Sequence, residues 1–228
     1  MVNWKNVVAA MFLLPIILMI ASLFGPWYYY SAQGGSGLFS AEFNQNYYFD
    51  RIKFEGNLGA GLNIFVGSGN FDLTLYYSDE IFKEKNNLES VMETTQILTV
   101  LGFIFSIIGF IGMVLYTKMN SFKLAFLLGL IALIIIILPA LYFMSVFPGA
   151  IAEDKLLNVP NQEHDFFGSQ EFMGVKQSWG GSWGWLAALS AWIFCLVGFI
   201  LLIFHKILAH PIGRTNGKNK PKIKRRWI

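Results

Sequence analysis

Charge is what this chain has least of. Asp, Glu, Lys and Arg make up 14% of its 228 residues, where an ordinary soluble domain carries about 25%. Cysteine is nearly missing as well. Cys195 stands alone, so no intramolecular disulfide can form in any redox compartment. Four long stretches hold no Asp, Glu, Lys, Arg or His at all: Val7–Gly25, Thr95–Tyr116, Leu124–Phe147 and Trp183–Phe204. Ion-coupled transporters, pumps and intramembrane hydrolases place ionisable groups at depth, although each costs about 2.5–3.5 kcal/mol to insert. Their absence here argues against a self-contained transporter or membrane-embedded enzyme. No P-loop, zinc motif or nucleophile with its base is present, and neither long connecting loop carries an N-x-S/T sequon. No catalytic residue, metal site, cofactor or nucleic-acid partner is expected.

What the chain has instead is oil. Hydrophobic residues account for 55% of it and the mean hydropathy is +0.51. Each of the four runs is close to the roughly 20 residues that cross about 30 Å of hydrocarbon. The reading is therefore a tetraspan membrane protein. The first run, behind Lys5, is a signal-anchor or a cleaved signal. It is longer than a usual h-region and no clean A-x-A site follows it, which favours the anchor.

Charge sets the orientation. Residues 1–6, 117–123 and 205–228 together hold eleven Lys and Arg and no acidic residue. All 14 Asp and Glu lie in the other two loops with the remaining six Lys and Arg, a formal charge of −8. By the positive-inside rule both termini are cytoplasmic. The expected order is a cytoplasmic N-terminus (1–6), a span (7–25), an outside loop (26–94) and a span (95–116). A cytoplasmic turn (117–123), a span (124–147), an outside loop (148–182), a span (183–204) and a basic cytoplasmic tail (205–228) complete it.

The first outside loop is patterned. RIKFE (51–55) puts Ile52 and Phe54 on one face, and FDLTLYY (71–77) puts Phe71, Leu73, Leu75 and Tyr77 on one face. LNIFVG (62–67) alternates in the same way. Period-2 runs separated by glycine-rich breaks predict an antiparallel meander with one buried face. A short helix capped at Ser78 follows, and Asn87 caps the second span. Before the meander, GPWYYYSA reads either as an aromatic belt at headgroup depth or as a belt that continues into a first strand.

Small residues recur within the spans. Gly102, Ser106, Gly109 and Gly112 mark the second span; Gly180, Gly184 and Ala188, then Ala187, Ala191 and Cys195, mark the fourth. Such spacing lets helices approach closely, either within the bundle or against another copy. Glu163, His164 and Asp165 are consecutive and read as a solvated loop, because three adjacent residues supply little of a coordination shell. His205 and His210 read as surface residues. The tail, with Lys218, Lys220, Lys222, Lys224, Arg225 and Arg226, serves topology, anionic-lipid or partner binding, or retention in the endoplasmic reticulum.

Taken together, these features resemble the superfamily of claudins, peripheral myelin proteins and voltage-gated calcium channel gamma subunits. Trp27 stands shortly after the first span, Gly37-Leu38-Phe39 looks like that group's Gly-Leu-Trp with Phe in place of Trp, and GGSWGWLAALSAWIFCLVGFILL (180–202) is similar to its fourth span. The group's two loop cysteines have no counterpart here. The resemblance implies a left-handed four-helix bundle bearing an extracellular antiparallel sheet built mainly from the first loop, with Trp27, Gly37, Leu38 and Phe39 positioning it. It also implies a non-enzymatic plasma-membrane protein of cell junctions or adhesion, acting by lateral self-association, or an auxiliary subunit of a channel, receptor or larger complex.

Overall fold

Each apolar run forms a helix, because in lipid a segment must satisfy its own backbone hydrogen bonds. The computed structural model describes residues 4–35, 40–58, 69–82, 86–154 and 165–209. Its helices are α1 (Trp4–Phe24), α2 (Asn86–Met119), α3 (Phe122–Asp154) and α4 (Trp183–Ala209). All four are long and apolar enough to cross a membrane, so the chain is an integral membrane protein. Their side chains are sorted by size. Large aliphatics such as Leu13, Ile17, Ile97, Ile134, Leu141 and Ile193 point outward, while Ala125, Ala132, Ala140, Ala188 and Ala191 are buried between helices. This is the lipid-adapted arrangement, in which small residues buy close backbone contact and bulky ones meet acyl chains. The helices close a ring, α1 against α2, α2 against α3, α3 against α4 and α4 against α1.

Two helices overshoot the membrane. At 1.5 Å per residue the 34 residues of α2 measure about 50 Å, against about 30 Å of hydrocarbon. The four helices are level at one end: the Tyr116 hydroxyl lies 2.7 Å from His205 Nδ1, and Lys5 Nζ donates to Asn120 Oδ1 at 3.1 Å. The excess therefore lies at the other end, where α2 begins and α3 finishes. There α3 clamps α2. Asp154 is buried; its Oδ2 accepts the Leu88 N–H at 2.8 Å and its Oδ1 accepts from Asn87 Nδ2 at 3.0 Å. The expected cap at Asn87 is thus replaced. The helix already runs at Asn86, and the capping carboxylate comes from a distant helix, where the α2 macrodipole favours its charge. The helix expected after Ser78 is a single 3₁₀ turn, Glu80–Phe82.

Among the described residues, six strands form one antiparallel sheet at these projecting ends: β1 (Tyr28–Gly34), β2 (Ala41–Tyr47), β3 (Arg51–Leu58), β4 (Asn70–Tyr76), β5 (Gly168–Phe172) and β6 (Val175–Gly181). Their order is β4-β3-β2-β1-β6-β5. The first-loop sheet of the sequence reading is therefore incomplete, since two strands come from the second loop. Strand β1 pairs with β2 and β6 rather than with the segments at 51–77. The LNIFVG run lies outside the described residues.

Trp27 corrects the aromatic-belt reading. It is fully buried, with its ring 5.2 Å from Phe49 and 5.3 Å from Phe143. Its indole Nε1–H donates to the Ser22 carbonyl at 2.9 Å, one of the orphan acceptors at the end of α1. Its main chain is engaged on both sides: Trp27 N–H donates to Tyr47 O at 2.7 Å, and Trp27 O accepts from Ser182 N–H at 3.0 Å. Gly184 N–H donates to Pro26 O at 2.9 Å.

Asp154→Ala leaves the buried Leu88 N–H unpaired and is expected to cost about 1–3 kcal/mol. Thermal unfolding in detergent checks this, with Asp154→Asn predicted to recover part of the loss. An unchanged midpoint in Asp154→Ala would show that the clamp carries no stability.

Candidate contact surface

The sheet's two faces have opposite chemistry, because successive side chains alternate. One face looks toward the helix ends and carries Tyr28, Tyr47 and Ile52 nearest them, then Tyr30, Gln45, Phe54 and Trp179, then Phe43 and Phe71. The first two rows are buried. Phe147 of α3 packs 4.5 Å from Tyr28 and 5.3 Å from Tyr47. The other face is polar and braced by Lys53, which pairs with Glu55 and, at 3.0 Å, with Asp72. Those hydrogen bonds, to Glu55 first and Asp72 second, hold the Lys53 ammonium above its usual range.

Burial fades with distance from the helices. Ile52 and Phe54 share a buried face as the alternation predicts. In β4 the predicted face is covered at Tyr77 and half-covered at Leu75, while Leu73 and Phe71 are exposed, beyond the reach of α2 and α3. Phe71 instead lies over Gly56 of the neighbouring strand, where a Cβ would come within 2.0 Å of its ring. The Trp179 ring covers Gly168 in the same way, at 2.2 Å. Phe71 also stacks on Phe43 with centroids 6.2 Å apart.

At the rim farthest from the helices, the β5–β6 hairpin turns on Met173 and Gly174, with φ of 52° and 77°. This is the two-residue turn that matches sheet twist, and it ordinarily selects Asn-Gly. Met173 in the left-handed region is costly, and the side chain it displays is 88% exposed. Phe172 beside it is 55% exposed. The rim thus presents Phe172 and Met173 on one flank and Phe71 and Leu73 on the other. Among the described residues β4 and β5 are the sheet's two outermost strands.

The small residues singled out in the spans are mostly occupied within the chain. A Cβ on Gly102 would meet Met19 of α1 at 2.6 Å, one on Gly109 would meet Ala132 of α3 at 2.9 Å, and one on Gly184 would meet the Pro26 carbonyl at 2.7 Å. Ser106, Ala188, Ala191 and Cys195 are buried, and Ala187 is half-buried. Gly180 is not in α4 but in β6, beneath the Phe167 ring. His205 is held by Tyr116. Asp165 offers its main-chain carbonyl to Trp179 Nε1 at 3.0 Å. Gly37, Leu38, Phe39, Glu163, His164, His210 and the tail residues Lys218, Lys220, Lys222, Lys224, Arg225 and Arg226 lie outside the described residues. Among the described residues no three His, Cys, Asp or Glu side chains gather as metal ligands.

Comparison with known proteins finds no family model and no curated protein that matches this chain.

Burial raises the hydroxyls of Tyr28, Tyr47 and Tyr77 above their ordinary pKa of 10.0, and neighbouring tyrosines add to it. A folded pKa above the unfolded one means the contribution is whole below pH 10 and is lost as pH rises through the folded value, by about 1.4 kcal/mol per unit per tyrosine. The sheet is therefore expected to unfold cooperatively in alkali, with tyrosinate absorbance and loss of strand signal rising together. Gradual ionisation near pH 10 with the sheet intact would show that water reaches these hydroxyls.

Proposed function

We propose that this chain is a non-enzymatic, claudin-like tetraspan protein of the plasma membrane, with cytoplasmic termini, that organises membrane or cell–cell contacts through its extracellular sheet and lateral self-association. The observation that carries this reading is the apolar rim. Phe172, Met173 and Phe71 stand exposed toward the end of the sheet farthest from the helices, and Leu73 is exposed one row nearer on β4. Exposed apolar groups at both flanks of the sheet offer two interaction surfaces. A turn that holds Met173 at positive φ spends stability on displaying an apolar side chain. Outermost strands at both flanks offer backbone pairing to a neighbour. The charge asymmetry of the loops supports the orientation.

Lateral contact falls to the rim and edges, because Gly102, Ser106, Gly109, Ala188, Ala191 and Cys195 are occupied inside the bundle. The basic tail adds an anchor on anionic lipid.

Mild-detergent extraction from the native cell, followed by a native gel with mass spectrometry of each band, tests the proposal. A ladder of this chain alone is expected, and Phe172→Ser with Met173→Asn should collapse it to the smallest species while changing stability little, since both positions are exposed. A single large band with stoichiometric foreign partners would replace this reading with an auxiliary subunit of a channel, receptor or other complex. For the tail, deletion of residues 214–228 should weaken binding to vesicles containing phosphatidylinositol bisphosphate, by about 1 kcal/mol per basic residue lost near the surface. Unchanged binding at low salt would remove the lipid anchor.

A further inference from the structure

A pocket of about 340 Å³ opens where the sheet meets the projecting end of α2, lined by Phe49, Asp50, Tyr76, Tyr77, Glu89, Glu93 and neighbours Ser78 and Gln96. Among the described residues its charge is one-sided. Asp50 is balanced by Arg51 at 2.9 Å, but neither Glu89 nor Glu93 has an ion-pair partner among the described residues. Tyr76, 46% exposed, and the buried Phe49 and Tyr77 bring aromatic rings to the same wall. The inner wall also holds an unmet need: Tyr77 is 4% exposed and its hydroxyl has no hydrogen-bond partner among the described residues. A buried hydroxyl in that state seeks an acceptor.

The pocket's position narrows the occupant. Glu89, Glu93 and Gln96 fall on one stripe of α2 at helical spacing, and that stripe continues into the exposed Ile97, Val100 and Ile104. Those three lie within the apolar run that faces acyl chains. A molecule that occupies both parts has a cationic head, oxygen acceptors just below it and a hydrocarbon tail. We propose that this groove binds a membrane lipid with an ammonium headgroup, choline or ethanolamine, on the sheet side of the bilayer. The ammonium sits between the Glu89 and Glu93 carboxylates and the aromatic rings, an ester or phosphate oxygen accepts from the Tyr77 hydroxyl, and one acyl chain runs along Ile97, Val100 and Ile104. The site is independent of the rim described above, so either reading can fail without the other.

The test uses the full chain in phosphatidylglycerol nanodiscs carrying trace spin-labelled lipids with choline, ethanolamine or glycerol headgroups, scored by the protein-immobilised fraction. The choline or ethanolamine lipid, or both, should be retained over the glycerol lipid. That preference should fall by about three- to fivefold for each carboxylate removed in Glu89→Gln and Glu93→Gln, the size of one solvent-exposed charge pair. Both side chains are exposed, and Glu93 lies beyond the first turn of α2, so its variant keeps the fold. A choline lipid retained above the ethanolamine lipid, and weakened by Tyr76→Leu, assigns a quaternary ammonium on the rings. The reverse order assigns a hydrogen-bonding primary ammonium. Tyr77→Phe should weaken retention of whichever lipid binds without changing headgroup order. Equal retention of all three lipids by the unaltered chain, or a preference that survives the double carboxylate variant, would overturn the site.

Discussion

Everything outside the bilayer hangs from a two-residue joint, Pro26 and Trp27. Its peptide groups are shared between two elements: the end of strand β2 through Tyr47, and the start of α4 through Ser182 and Gly184. The indole closes the last turn of α1 through Ser22. A residue with that many obligations has no freedom to sit at the lipid surface. Aromatic rings from the sheet and from α3 then pack around it, so the sheet's angle to the bundle is set by close packing rather than by a hinge. The chain achieves this with no disulfide, Cys195 being free and buried in α4.

The second constraint is length. Because α2 and α3 are longer than the hydrocarbon is thick, their ends form a pillar against which the sheet packs. Asp154 locks the two helices at the top of that pillar. Phe143, Phe147 and Ile151 supply its apolar flank. Where the pillar ends, burial ends, and the outer half of the same sheet face is left uncovered. Strand patterning alone carries the apolar side chains onward; the helices decide which of them are hidden.

Much of this was legible in the sequence. Four uncharged runs announced four helices, and strict alternation at 51–55 put Ile52 and Phe54 on the buried face. The missed features are those that depend on distant segments. Nothing local in AEFNQNY (41–47) marks a strand, since Asn and Gln disfavour one and only pairing with β1 and β3 makes it so. GSQEFMGVKQSW (168–179) carries a hairpin whose turn residue, Met173, contradicts turn preference. Trp27 looked like an interfacial anchor because composition cannot distinguish a tryptophan at the surface from one under a sheet. The small-residue stripes were visible, but spacing alone does not say whether the partner helix belongs to the same chain. The pocket beside α2 was invisible, as its lining comes from three separate segments, 49–50, 76–78 and 89–96.

The position of β6 beside β1 imposes an order of events on the molecule. Strand β1 is among the first parts made after the opening helix, yet one of its two edges stays unpaired until residues 175–181 have been synthesised. Non-local pairing of this kind closes late. The sheet is therefore complete only once β6, just ahead of the last helix, has been made. A chain halted after three helices would display an open edge at β1, and unpaired strand edges are prone to aggregate.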